Sequence, residues 1–214
     1  MDRLTKRGGA ASSLSNDRIV SGLKEALQIG TANAVSLTGK TDGFSANKAI
    51  RIILPERLRL VEKGLRIAGF GSSVDEFELC MNRAAEKAAP EARSIFVGAI
   101  REMTLTDGRA ILAGGNTAAT DYFRSKTTDR LKSVFRPVVS KAMGETDVAR
   151  SYKQVIARVP AFPFQKKDTF DLDDYVVSKS MDGLFYMLAE EERRIRTDPA
   201  ARVTSILKEV FGNK

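Results

Sequence analysis

The sequence predicts an all-α protein, a single compact domain of eight or nine helices with at most one short extended segment near residues 49–54. Three observations carry that expectation. Apolar residues recur at three- and four-residue spacing along nearly the whole chain, the period that gathers them on one face of a helix. Proline stands where helices open, at Pro55, Pro90 and Pro199, positions that need no backbone N–H. A strand-like run occurs once, in "AIRIILP", and no second run is present to pair with it.

The elements follow in order. Ser15, Asn16 or Asp17 caps a first helix carrying Ile19, Val20, Leu23, Leu27 and Val35 and ending at Gly39. Asp42-Gly43 turns the chain into the extended run. Pro55 opens a helix to about Ala68, with Leu58, Val61 and Leu65 on one face. After a turn at "GFGSS", Ser72 or Ser73 caps a helix from Val74 to Ala88. Pro90 opens the next, through Ile95, Phe96, Ala99 and Ile100 to Met103. Thr106 caps a short helix that stops at Gly114-Gly115. Asn116 or Thr117 caps a long segment with Leu131, Val134, Phe135, Val138 and Ala142 on one face. Pro137 is expected to kink or break it, because its ring denies a bond to the preceding turn. A helix from Asp147 to Val159 precedes the loop "VPAFPFQKKDTF". Asp171 then caps a helix through Val177, Met181, Leu184, Leu188 and Ile195, and Asp198-Pro199 starts a last one ending near Phe211. Glycines inside helices (Gly22, Gly64, Gly98, Gly183) read as close helix crossings, since glycine otherwise weakens a helix.

The helical domain spans residues 15–214, and residues 1–14 read as a flexible basic tail. No apolar run approaches the ~18 residues of a membrane span, and the first residues lack the apolar core of a signal peptide. One Cys and no His remove internal disulfides, cysteine metal clusters, histidine-based triads and histidine zinc sites from consideration. Cys80 lies among apolar helical positions and reads as a small core residue. What remains for catalysis is carboxylates, lysine, tyrosine and arginine.

The net charge is +8, and its placement is uneven. Residues 1–60 hold 10 Lys/Arg against 5 Asp/Glu, and residues 121–170 hold 11 against 5. Two basic segments alternate with nearly neutral ones, which suits a one-sided positive face. The second overlaps "GGNTAATDYFRSKTTDRLKSVFR". There the free amides at a helix start, with Tyr122, Arg124, Lys126, Arg130 and Arg136, form a candidate anion site. Phe162 and Phe164 in the following loop form a candidate lid or partner surface.

Other patterns carry less. Ala34, Gly39, Lys40 and Thr41 match the loosest form of a phosphate-binding loop, but such a loop leads from a buried strand into a helix start. Here Gly-Lys-Thr closes a helix, where the partial charge is negative and phosphate is repelled. "GFGSSV" lacks the third glycine of a dinucleotide fingerprint. "DTFDLDDY" lacks the glycine and glutamate of a calcium loop and reads as a helix start. "EEERRIR" places Glu190 and Glu192 four residues before Arg194 and Arg196 and reads as a solvated face. No nucleotide, metal or cofactor is expected.

Several stretches together, "GKTDGF", "AIRIILPERL", "ATDYFRSKT", "DLDDYVVSKSMDGLFYMLAEEE" and "RTDPAARVTSILKEVF", resemble the bacterial domain-of-unknown-function family 4197 from about residue 15 onward. The resemblance implies a helical domain of the Gram-negative periplasm or cell envelope, made with a leader that this chain lacks. It transfers no catalytic residue. The expected function is non-catalytic binding of an apolar or amphipathic anionic ligand, lipid-like, between helices. One alternative is an interaction module using a basic face for an anionic protein, a membrane surface or nucleic acid, the last disfavoured because no reading motif is present. Another is an enzyme working through carboxylates or lysine.

Overall fold

Phe44, Phe77, Phe96, Phe123, Phe135 and Phe185 are all fully buried, and they come from distant parts of the chain. The core is therefore assembled by helices crossing one another. Phe96 sits at its centre, edge-on to Phe123 with ring centroids 5.2 Å apart and to Phe185 at 6.2 Å, the tilted geometry aromatic quadrupoles prefer. The computed structural model describes residues 16–147, 149–151 and 170–201.

Seven α-helices are found among the described residues: α1 Asn16–Gly39, α2 Arg59–Ile67, α3 Gly71–Ala88, α4 Ala92–Glu102, α5 Leu105–Ala113, α6 Ala118–Gly144 and α7 Leu172–Thr197. Three short 3₁₀ turns accompany them, at Glu56–Leu58, Ala89–Glu91 and Pro199–Ala201. The chain is all-helical as expected, but the count is seven rather than eight or nine. Of the helices expected after Asp147 and after Pro199, only the first residues are described.

Boundaries set by local chemistry fall where the sequence puts them. Helix α1 stops at Gly39. The Asp171 carboxylate accepts the Asp174 N–H at 3.0 Å and caps α7. Three boundaries differ. Helix α3 starts at Gly71 with no side-chain cap, ahead of the serines expected to cap it. Helix α5 is capped by Thr104, not Thr106, because Thr104 stands three residues before Asp107 and the two form a reciprocal capping box. Helix α6 runs through Pro137 unbroken. Pro137 and Ser133 are both exposed, so the carbonyl that proline leaves unpaired sits on the watered side, while Phe135 and Val139 beside it are buried.

Helices α6 and α7 lie antiparallel. Arg136 bonds Asp171 and Asp174 at one end, and Glu192 bonds Thr120 at the other. Helix α1 lies antiparallel to α7 as well, with Asn33 donating to Glu191 at 2.9 Å and Phe44 packed on Gly183. A Cβ at Gly183 would lie 2.5 Å from the Phe44 ring, so this glycine does mark a close crossing. Gly64 and Gly98 do not: a Cβ at either would meet nothing within 4 Å.

The extended run pairs with no strand among the described residues. The Ile52 N–H donates to Asn82 Oδ1 at 2.9 Å, Asn82 Nδ2 donates back to the Ile52 carbonyl at 2.8 Å, and the Leu54 N–H donates to Glu78 Oε1 at 3.1 Å. Asn82 and Glu78 are four residues apart and share a face of α3. Two side chains of a helix thus satisfy one edge of the backbone, which a buried segment requires. Side-chain burial alternates along the run: Ile50, Ile52 and Leu54 are in the core, while Arg51 and Ile53 are exposed.

Candidate functional site

The basic and aromatic residues singled out on α6 do not form one site: Tyr122, Lys126 and Arg130 share a face, and Arg124 and Arg136 lie elsewhere. Tyr122 donates its hydroxyl to the Ala99 carbonyl of α4 at 3.2 Å, and the Lys126 ammonium lies 6.0 Å from its ring. Burial, followed by the carboxylates of Asp107 and Glu102, pushes the Tyr122 hydroxyl above its ordinary range, so it stays a donor. Arg124 points to another flank, over the Phe185 ring at 4.5 Å and 3.8 Å from Asp182. Arg130 pairs with Glu102 at 3.4 Å. Arg136 is engaged by Asp171, at 2.6 Å, and by Asp174. The Asp174 N–H first, and then Arg136, hold the Asp171 carboxyl below the usual carboxylate range. Phe162 and Phe164 lie outside the described residues. Three of the four cations thus face carboxylates of this chain, and they do so on different sides of α6.

The helix start that was to hold an anion already holds one. The N–H groups of Ala119 and Thr120 donate to the two oxygens of Glu192, each at 2.9 Å, and the Thr120 hydroxyl adds a third bond at 2.9 Å. Arg196 closes the arrangement, bonding Glu192 at 3.0 Å and the Ile111 carbonyl at 2.9 Å. Glu192 is 7% exposed. The positive end of α6 is therefore neutralised by a buried carboxylate from α7. Here "EEERRIR" departs from the expected solvated face: Glu191 and Glu192 are both buried, and Arg194 pairs with Glu191 rather than Glu190.

"GKTDGF" behaves similarly. Gly39 closes α1, so its Lys-Thr sits at a carbonyl end. The Phe44 and Ser45 N–H groups beyond the turn donate to Glu86 Oε1 at 3.0 and 3.2 Å. Arg83 links Glu86, at 2.6 Å, to Asp42, at 2.7 Å. Asp42 adopts a left-handed φ of 64°, and a Cβ at Gly43 would lie 2.4 Å from the Leu37 carbonyl oxygen, so only glycine fits there. Cys80 is half-buried, with its sulfur 3.4 Å from the Thr146 hydroxyl.

A partly open pocket between α1, α6 and α7, near Leu23, Leu27 and Leu188, measures about 20 Å³, room for one water molecule. Two clefts are larger and open. One of about 430 Å³ borders Pro137, Lys141 and Lys87. The other, about 380 Å³, runs between the extended segment and Tyr175, Lys179, Asp182 and Tyr186 of α7.

Among the described residues, the most exposed apolar side chains lie on and just beyond α2, a helix whose first stripe reads as an ordinary core contact. No side chain of α2 is buried. Leu60 is 70% exposed, Ile67 88%, and Phe70 just beyond the helix 56%. At 100° per residue, Leu58, Val61 and Leu65 share one side, while Leu60, Gly64 and Ile67 form a second stripe on the opposite side. Arg59 and Lys63 flank that second stripe. Residues 56–70 carry four basic and two acidic side chains, and Arg66 is engaged by Glu62 and Asp75, each at 2.9 Å. The spacing Leu60–Gly64–Ile67 was the available signal: two apolar stripes on a nine-residue helix are one more than a core contact uses.

Fold and site together define an all-helical protein whose buried carboxylates serve its own backbone and whose apolar surplus faces outward. The chain belongs to the family described as Protein of unknown function (DUF4197), whose sequence model matches residues 13–212. Neither the curated proteins nor the solved structures contain a match to it.

Proposed function

We propose that this is a non-catalytic envelope protein that docks on an anionic lipid surface through α2. The observation that carries the reading is the outward stripe of Leu60, Ile67 and Phe70, on and just beyond a helix with no fully buried side chain. A short amphipathic helix with an apolar face and a basic flank lies in the interface plane of a bilayer, its apolar side chains among the acyl chains and its cations at the headgroups. Amphipathic anionic molecules are then met at the surface rather than taken between helices, in keeping with the mere 20 Å³ of the pocket between α1, α6 and α7. Charge favours lipid over a second copy of this chain, because a symmetric pairing through the stripe would set Arg59 and Lys63 of both copies side by side.

The test is co-sedimentation with phosphatidylglycerol and phosphatidylcholine vesicles. The protein is expected to pellet with the first and much less with the second. Each apolar side chain is worth about 1.5–3 kcal/mol when fully buried. The double substitution L60D/I67D should therefore lower the vesicle partition coefficient by at least tenfold. It should leave the thermal midpoint unchanged, since neither side chain contributes to the core. Equal pelleting of the variant and the parent, or a concentration-dependent dimer abolished by the same substitutions, would overturn the reading.

A further inference from the structure

The extended segment has a second edge, and it faces a cleft. In an extended chain the N–H and carbonyl of one residue point to the same side, and those of the next point to the other. Ile52 and Leu54 point to α3 and are bonded there. Ile53 points the opposite way, toward α7. Its carbonyl accepts the Tyr175 hydroxyl at 2.8 Å. Its N–H donates to no group among the described residues, and neither does the Arg51 carbonyl on the same edge accept from one. Beyond that edge lies the 380 Å³ cleft, walled on its far side by Tyr175, Lys179 and Tyr186. Ile53 itself, 55% exposed, stands at its rim.

We infer that this cleft binds an extended polypeptide segment by main-chain pairing with Arg51 and Ile53. The chemistry on the edge is that of a backbone: an acceptor at residue 51 and a donor at residue 53, spaced two residues apart. An antiparallel segment meets it with one residue accepting from the Ile53 N–H and a residue two further along donating to the Arg51 carbonyl, while the Ile53 carbonyl stays with Tyr175. Strand addition to an open edge is an established mode of peptide recognition, in which main-chain bonds give affinity and alternate side chains give selectivity. The side chain opposite Ile53 is β-branched or aromatic, the type that packs best across a strand pair. Tyr175 and Tyr186, eleven residues apart on α7, bound the length of the segment and offer aromatic surface at its ends. Burial, followed by the Glu78 carboxylate, pushes the Tyr175 hydroxyl up, so it remains protonated and keeps the edge in place. Pro55 has no N–H and ends the usable edge, which limits the pairing to a few residues.

The test uses a capped, fluorescein-labelled octapeptide of alternating threonine and valine, beside the same peptide N-methylated at alternate amides. Fluorescence anisotropy is read with the full chain, and hydrogen exchange follows the Ile53 amide. The unmethylated peptide should bind, slow Ile53 exchange at least tenfold, and lose at least tenfold in affinity on methylation. The substitution Y186A should weaken binding by removing one wall. I53P removes the donor and should abolish it, with circular dichroism confirming that both variants fold. Equal affinity for the methylated peptide would reduce the contact to apolar adhesion and overturn the proposal. So would absence of binding at millimolar peptide, or protection of Ile53 by phosphatidylglycerol vesicles instead of peptide, which would assign the cleft to lipid.

Discussion

Glu192→Ala is expected to destabilise the fold by about 3–5 kcal/mol, the range for removing one partner of a buried ion pair. The carboxylate serves three donors of α6 and one guanidinium at once. Without it, the Ala119 and Thr120 amides face an apolar interior lined by Leu23, Leu27 and Leu188. Arg196 keeps the Ile111 carbonyl but loses its bond to Glu192. Domains of this kind are stable by only about 5–15 kcal/mol, so a loss of this size moves a urea midpoint far and brings the protein close to unfolding at body temperature. Glu192→Gln keeps an acceptor and loses the charge, so its cost should be smaller, about 1–3 kcal/mol. Urea titrations of the three proteins check this. The midpoints should fall in the order parent, glutamine, alanine at a common slope. A loss below ~1 kcal/mol for the alanine variant would mean that water reaches those amides and that the carboxylate is not what holds α6 against α7.

Glu86→Ala comes next, at about 2–4 kcal/mol, because it strands two amides and one arginine contact. Here the damage should be local as well as global. Hydrogen exchange at Phe44 and Ser45 should accelerate while the amides at the start of α6 keep their protection, because the two carboxylates serve separate ends of the bundle. Uniform acceleration at both places would show that the turn has no opening of its own. The result also bears on the phosphate-loop resemblance of "GKTDGF": the amides after this turn do hold an anion, but it is a side chain of the same protein.

These two glutamates show where the sequence stops being legible. The end of α1 at Gly39, the Asp171 cap and the opening prolines are decided by residues within one turn of each other, and local spacing reveals them. Glu192 stands 72 positions from the Thr120 amide it accepts, and Glu86 stands 42 from Phe44. Nothing in "EEERRIR" distinguishes a carboxylate aimed into the core from one aimed at water, since both satisfy the same four-residue spacing. The start of α6, expected to receive an anionic ligand, receives the Glu192 carboxylate of the same chain. Its occupant was the part that required the fold. "AIRIILP" was legible as extended for the same local reasons, but its partner was not, because Asn82 and Glu78 replace a strand with a helix face. The outward stripe of α2 was legible in principle. It was hidden by the first stripe, Leu58, Val61 and Leu65, which was sufficient to explain a core helix.

Ile67 and its neighbours are expected to enter a lipid interface, and one substitution reports on that insertion. The chain contains no tryptophan, so Ile67→Trp introduces a single fluorophore on a side chain that is 88% exposed. Leu105→Trp, on the exposed face of α5, serves as the matching control. On adding phosphatidylglycerol vesicles, the emission of I67W should shift to the blue and be quenched by brominated acyl chains, while that of L105W stays unchanged. Unshifted I67W emission under conditions where the protein pellets with the vesicles would rule out α2 as the docking face, and a shift in L105W instead would place that face elsewhere on the molecule.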